Sequence, residues 1–259
     1  LTTGLHKIVC NGTLLGGGNI TLDNGDKKTF ALQYGWQGAF YPRTGCSFDP
    51  VTGIGDCETG ECIDNLGNSV IGCGGAGSQN PVTKGELNLD DNGDWFDVSY
   101  VNGFNVGMTI EPGNVNAGSD NCHSAGCAIS LSDIKSPAVP DFSALKLMAN
   151  GKFVGIWSDC DLSTIRNGST SEITKGYCCP YPPYINSTLD KCGTGPGTCK
   201  VCAGQDSTLY PFDQPGALPN SAKLFFDSCP GKVYTYAYND SLPNRQCHNA
   251  TGKISNYTI

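Results

Sequence analysis

Charge is scarce in this chain, and long apolar runs are missing. Only 15% of its 259 residues are charged. The 16 Lys and Arg are outnumbered by 24 Asp and Glu, for a net charge of −8. An acidic surface opposes phosphate backbones, which argues against nucleic acid as a partner. No stretch reaches the about 18–20 apolar residues that a membrane-spanning helix needs. Histidine is limited to three, His6, His123 and His248, scattered so that no Ser-His-Asp set or metal-ligand set can be read from their spacing. No metal and no cofactor is expected.

What the chain does have is 35 Gly, 15 Pro and 15 Cys. Glycine and proline at this level suit many short strands joined by tight turns. Fifteen cysteines point to disulfides formed in an oxidising compartment. Seven Asn-x-Ser/Thr sequons, at Asn11, Asn19, Asn167, Asn186, Asn239, Asn249 and Asn256, agree with that compartment and predict covalent N-glycans. Together these features predict a secreted protein, extracellular or held in a cell wall. The chain starts at Leu1 without a leader, which reads as a mature or trimmed form.

Period-2 apolar patterning dominates. Residues 19–32 and 86–101 each read as strand, Asn-Gly turn, strand. The strongest helix pattern is DFSALKLMANG at 141–151, with Asp141 as its cap and Gly151 just past its end. Residues 160–223 are rich in Cys, Pro and Gly, a composition held by cross-links rather than by a regular core. With no repeats and no low-complexity linker, the parts are expected to form one compact unit.

The segment TGIGDCETGEC, 52–62, sets Cys57 and Cys62 among glycines and acids. Zinc would need paired Cys-x2-4-Cys ligands or added histidines, and the only Cys-x2-Cys is Cys199–Cys202. No βαβ pattern surrounds that pair, so a thioredoxin-like role has no support. Disulfide is the reading that remains. GCGGAG at 72–77 lacks the strand-to-helix context of a phosphate loop. LDDNGD at 89–94 lacks the glycine and the downstream glutamate of a calcium loop, and reads as a hairpin turn. Trp36, Tyr41 and Trp95 are aromatic candidates for stacking on sugar rings, or ordinary core and rim residues.

Several segments resemble thaumatin-like proteins, the secreted pathogenesis-related group 5. RTGC at 43–46 followed by GIGDCETGEC at 53–62 is similar to that family's signature, with Glu61 where Asp is usual. DWFDVSYVNGFNVGM at 94–108, GKFVGIWSDC at 151–160 and LFFDSCPGKVYTYAYND at 224–240 resemble further family segments, in the family's order. The resemblance implies a mainly β fold, a flattened thaumatin-like β-sandwich with two disulfide-rich lobes and a cleft. The sandwich would comprise 1–46, 86–127 and 224–259. A small disulfide-loop lobe would comprise 47–85, and a helix and loop lobe 128–223.

The resemblance also implies the pairs Cys46–Cys57, Cys62–Cys73, Cys122–Cys247, Cys127–Cys229, Cys160–Cys178 and Cys179–Cys192. Cys199 and Cys202 have no family counterpart and are expected to bond to each other. Cys10 matches a residue whose family partner would follow SNYTI at 255–259. One family pair is lost as a unit, with Ile156 at one of its positions and no cysteine between Cys127 and Cys160.

Many thaumatin-like proteins carry one Arg, one Glu and three Asp in the cleft, associated with binding β-1,3-glucan and, in some members, hydrolysing it. Carried over singly, the glutamate falls on Glu86 and the first aspartate on Asp97. The second falls on Asn102, the third on Asn239 with Asp240 beside it, and the arginine on Ala39. Two of the five charges are kept.

The hairpin can also be read without the family. With Asn92-Gly93 as a two-residue turn, Glu86 opposes Ser99 and Asn88 opposes Asp97, all on one face. Phe96, Val98 and Tyr100 take the apolar face. Glu86 and Asp97 then become diagonal neighbours about 7–8 Å apart, within reach of the roughly 6.5–9.5 Å carboxyl separation of inverting glycosidases. Two functions stay open. One is a secreted binder of cell-wall β-glucan with weak endo-β-1,3-glucanase activity through Glu86 and Asp97. The other is a non-catalytic extracellular structural glycoprotein that self-associates in a wall or filament.

Overall fold

The computed structural model describes residues 3–6, 9–10, 13–14, 19–22, 25–32, 35–73, 77–90, 93–113, 121–169, 171, 174, 177, 218–235, 244–247 and 256–259. Its strands in chain order are β1 (Thr3–His6), β2 (Val9–Cys10), β3 (Thr13–Leu14), β4 (Asn19–Leu22), β5 (Gln37–Arg43), β6 (Ser47–Phe48), β7 (Gly55–Asp56) and β8 (Lys84–Asn88). They continue with β9 (Asp94–Ser99), β10 (Met108–Gly113), β11 (Ala125–Cys127), β12 (Lys146–Ala149), β13 (Lys152–Ile156), β14 (Arg245–Cys247) and β15 (Asn256–Thr258). Two α-helices are described, α1 (Asp159–Asn167) and α2 (Ser221–Ser228).

A six-stranded sheet in the order β4-β1-β5-β8-β9-β14 is antiparallel at every step. A three-stranded sheet, β11-β10-β15, packs on its inner face. Alternation decides which side chains go inward. Phe40 of β5, Leu87 of β8, and Phe96 and Val98 of β9 are buried with Ile110 and Ala125 of the second sheet. Gly85 lets the two layers approach: a Cβ there would stand 2.6 Å from the Met108 sulfur.

Three local expectations are corrected. The hairpin over 19–32 forms only its first strand, β4, and the residues after the Gly25 turn carry no ladder. Lys27 and Lys28 stay exposed there, while Phe30 and Leu32 pack on the core edge. The helix over 141–151 is instead a short 3-10 turn, Ser143–Leu145, leading into the hairpin β12–β13. Asn150 (φ 50°) and Gly151 (φ 74°) take left-handed conformations and make its turn. Asp141 does bond a backbone N–H, that of Ser143 at 2.9 Å, but it starts only that one turn. The helices form where caps are available: Ser158 accepts from Asp161 N before α1, and Asn220 accepts from Lys223 N before α2.

The third correction is register. β8 and β9 pair Glu86 with Asp97, Leu87 with Phe96 and Asn88 with Trp95. At the hairpin end, Gly93 N donates to Asp90 O at 3.0 Å and Asp90 N donates to the Asp94 carboxylate at 3.2 Å. The ladder is offset by two residues from a tight Asn92-Gly93 turn. A shift of two keeps every side chain on its face, whereas a shift of one would have inverted the strand.

Disulfides join Cys46 to Cys57, Cys62 to Cys73, Cys122 to Cys247 and Cys127 to Cys229. Cys160 is also disulfide-bonded. Cys178, Cys179, Cys192, Cys199 and Cys202 lie outside the described residues. The first two bridges belong to the loops of 46–73, which Arg43 anchors from within. Its guanidinium donates to Ile71 O and Val70 O, both at 3.0 Å, and to Cys57 Sγ at 3.2 Å. Asn105 ties the same loops to the sheet, donating to Thr59 Oγ1 at 2.7 Å and Pro42 O at 3.0 Å.

Candidate functional site

The outer face of the six-stranded sheet carries the polar residues. One row across it runs Ala39, Glu86, Asp97 from β5 through β8 to β9. Glu86 and Asp97 therefore face each other directly. Cβ atoms of such a pair stand roughly 4.5–5.5 Å apart, closer than in the diagonal arrangement. Ala39 fills the third place in the row, so the row itself offers no cation.

The cation comes from one row away. Lys84 lies on the same face as Glu86, two residues before it on β8, and donates to Asn102 Oδ1 at 2.7 Å. Burial pushes the Glu86 carboxyl above the ordinary glutamate range, and the Lys84 ammonium pulls it part of the way back.

A further carboxylate enters from outside the sheet. Asp161, in the first turn of α1, accepts from Ser158 Oγ at 2.9 Å and hydrogen-bonds Asn102 and Asn80. Burial raises its pKa; those hydrogen bonds and Lys84 lower it. Asn102 thus joins a cation on one side to a carboxylate on the other, which an amide can do and a second carboxylate cannot. Sequence reasoning missed Lys84 and Asp161. The available signals were weak: Lys84 shares a strand face with Glu86 by period 2, and the Ser158-Asp159-Cys160-Asp161 run is a helix start rich in acids.

Of the other residues singled out, Trp36 and Tyr41 are buried in the core and cannot stack on a ligand, while Trp95 is 43% exposed. Asn239 and Asp240 lie outside the described residues, as do the sequons at Asn11, Asn186 and Asn249. Asn19 lies in β4. Asn167 at the end of α1 and Asn256 on β15 are exposed. No group of three or more potential metal-ligating side chains occurs among the described residues. Among them, no helix is long and apolar enough to cross a membrane.

Comparison with known proteins agrees with the fold and the motifs. The Thaumatin family matches residues 8–259. Pathogenesis-related protein 5 of Arabidopsis thaliana is 32% identical over 246 residues, covering 94% of this chain and 80% of that protein. Pathogenesis-related thaumatin-like protein 3.5 of Cryptomeria japonica is 30% identical, covering 95% and 79%. A Prunus avium protein named glucan endo-1,3-beta-glucosidase is 28% identical, covering 82% and 67%. The chain belongs to the thaumatin family.

Proposed function

We propose that this protein is a secreted glycoprotein that binds cell-wall β-1,3-glucan on the sheet face around Glu86 and Asp97, and that it holds the polymer without cleaving it. The observation that carries this reading is the direct pairing of Glu86 with Asp97 on a half-buried polar face. Facing carboxyls beside a lysine make strong, charge-assisted hydrogen bonds to sugar hydroxyls. What counts against hydrolysis is the depleted charge: Ala39 and Asn102 stand where the family resemblance implies an arginine and an aspartate, so fewer charges set the two carboxyls apart as acid and base. The relative named glucan endo-1,3-beta-glucosidase makes β-1,3-glucan the first ligand to try. The disulfides and the sequons support secretion, as such cross-links persist in oxidising compartments.

The test is co-sedimentation with insoluble β-1,3-glucan, together with an assay of reducing ends released from soluble laminarin. The expected result is binding that falls in Glu86→Gln, with no reducing ends above the blank. Release that disappears in Glu86→Gln would make the protein a hydrolase, and failure to sediment would remove the glucan reading.

A second reading, a structural glycoprotein that self-associates, is favoured by the number of sequons. One observation weighs against it. Asn256 sits on β15, which is an edge strand among the described residues, and a glycan there would block strand pairing between copies. Ordered polymers of the glycosylated protein in analytical ultracentrifugation would favour this second reading.

A further inference from the structure

On the same sheet face, one row beyond Glu86 and Asp97, Gln37, Asn88, Trp95 and Gln246 follow one another across β5, β8, β9 and β14. Paired residues in antiparallel strands project to the same side, so these four share one face. Four strands at the usual inter-strand spacing give a row about 14 Å long. Exposure rises toward this row. Along β9 it goes from buried Ser99 through half-buried Asp97 to exposed Trp95, and along β5 from buried Tyr41 through Ala39 to exposed Gln37.

The chemistry of the row is distinctive. It holds three amides and one indole, and no charge. The exposed indole of Trp95, near the start of β9, presents a broad apolar surface that fits the C–H face of a pyranose ring. Primary amides both donate and accept, matching hydroxyls that do the same. The Asn88 side-chain oxygen is shielded and has no hydrogen-bond partner among the described residues. Uncharged partners select a neutral polyol over an anion.

We propose that this row is a second saccharide subsite, which takes a neutral β-linked pyranoside chain by stacking on Trp95 and hydrogen bonding to the flanking amides. It extends the face that holds Glu86 and Asp97, and it rests on the glucan-binding reading of that face. The acidic row fixes one sugar by its hydroxyls, and the indole row carries the next part of the chain toward the β14 edge of the sheet.

The experiment is calorimetric titration of the intact glycoprotein with soluble laminarin, for wild type, Trp95→Ala, Trp95→Phe, Gln37→Leu and Glu86→Gln, with melting temperatures measured alongside. Trp95→Ala is expected to weaken binding about tenfold, Gln37→Leu about threefold, and Trp95→Phe less than threefold because it keeps a ring. The exposed position of Trp95 leaves the melting temperature unchanged. Equal affinity of Trp95→Ala and wild type, with affinity lost in Glu86→Gln, would overturn the subsite and leave the glucan reading intact. No binding by wild type would overturn both.

Discussion

Lys84 and Asn102 are joined by a 2.7 Å hydrogen bond from ammonium to amide oxygen. Through that amide, the cation of the sheet is tied to Asp161 of α1. On this face the positive charge stands on Lys84 and a further carboxyl on Asp161, with Asn102 between them.

Removing the cation exposes this arrangement to pH. Both Glu86 and Asp161 have raised carboxyl pKa values, from burial first, with Lys84 opposing. A carboxyl raised on folding contributes stability below its unfolded pKa, and that contribution is lost as pH rises through the folded value. Lys84→Met raises both groups further. Urea unfolding should therefore show the variant about 1–2 kcal/mol less stable than wild type at pH 7 and nearly equal at pH 3.5. An equal deficit at both pH values would mean that Lys84 acts by packing alone.

Asp159 gives a second pH signature. Burial at the junction of α1 and α2 pushes its carboxyl up to about 6, although it accepts from Ser221 N at 2.9 Å. By the same sign rule, wild type loses stability between about pH 4 and pH 7, by at most about 3 kcal/mol from this group. Asp159→Asn keeps an acceptor for Ser221 and removes the titration. Its stability should vary less over that range and exceed that of wild type at pH 7.

Arg43 is fully buried, with its guanidinium spent on two carbonyls, a sulfur and the face of Phe48 at 4.6 Å. Arg43→Met leaves the Val70 and Ile71 carbonyls without these donors. A loss of about 2–4 kcal/mol is expected, read as a melting temperature lower by roughly 5–15 °C for a chain of this size. Arg43→Lys recovers only part of it, since an ammonium cannot span both carbonyls and the ring.

Tyr100 points the other way. Its ring packs edge-on against Phe104 and Phe225 at 5.0 and 5.5 Å, and its hydroxyl is buried with no hydrogen-bond partner among the described residues. Tyr100→Phe keeps the rings and removes that buried hydroxyl. Thermal unfolding should find the variant as stable as wild type or more so, by up to about 1 kcal/mol.

The sequence revealed the site in part. Period 2 was enough to put Glu86 and Asp97 on the polar face and Phe96 and Val98 on the apolar one. It could not set their register, because that depends on how Asp90, Gly93 and Asp94 bond within the turn. The pattern at 141–151 read as a helix because Leu145 and Leu147 suit either period. The left-handed Asn150-Gly151 pair, which makes a hairpin, decided otherwise. Asp161 was invisible as a site residue because nothing local says which strand a helix N-terminus will meet. Lys84 was legible in principle, two residues from Glu86, but the family pattern directs attention to the cation missing at Ala39.

The central claim is that a β-1,3-glucan chain lies on the outer sheet face over Glu86 and Asp97. A crystal structure of the protein soaked with a laminari-oligosaccharide tests it most directly. Sugar density is expected within hydrogen-bonding distance of both carboxyls, with a ring against Trp95. Density confined to another surface, or an empty sheet face at saturating oligosaccharide, would contradict it.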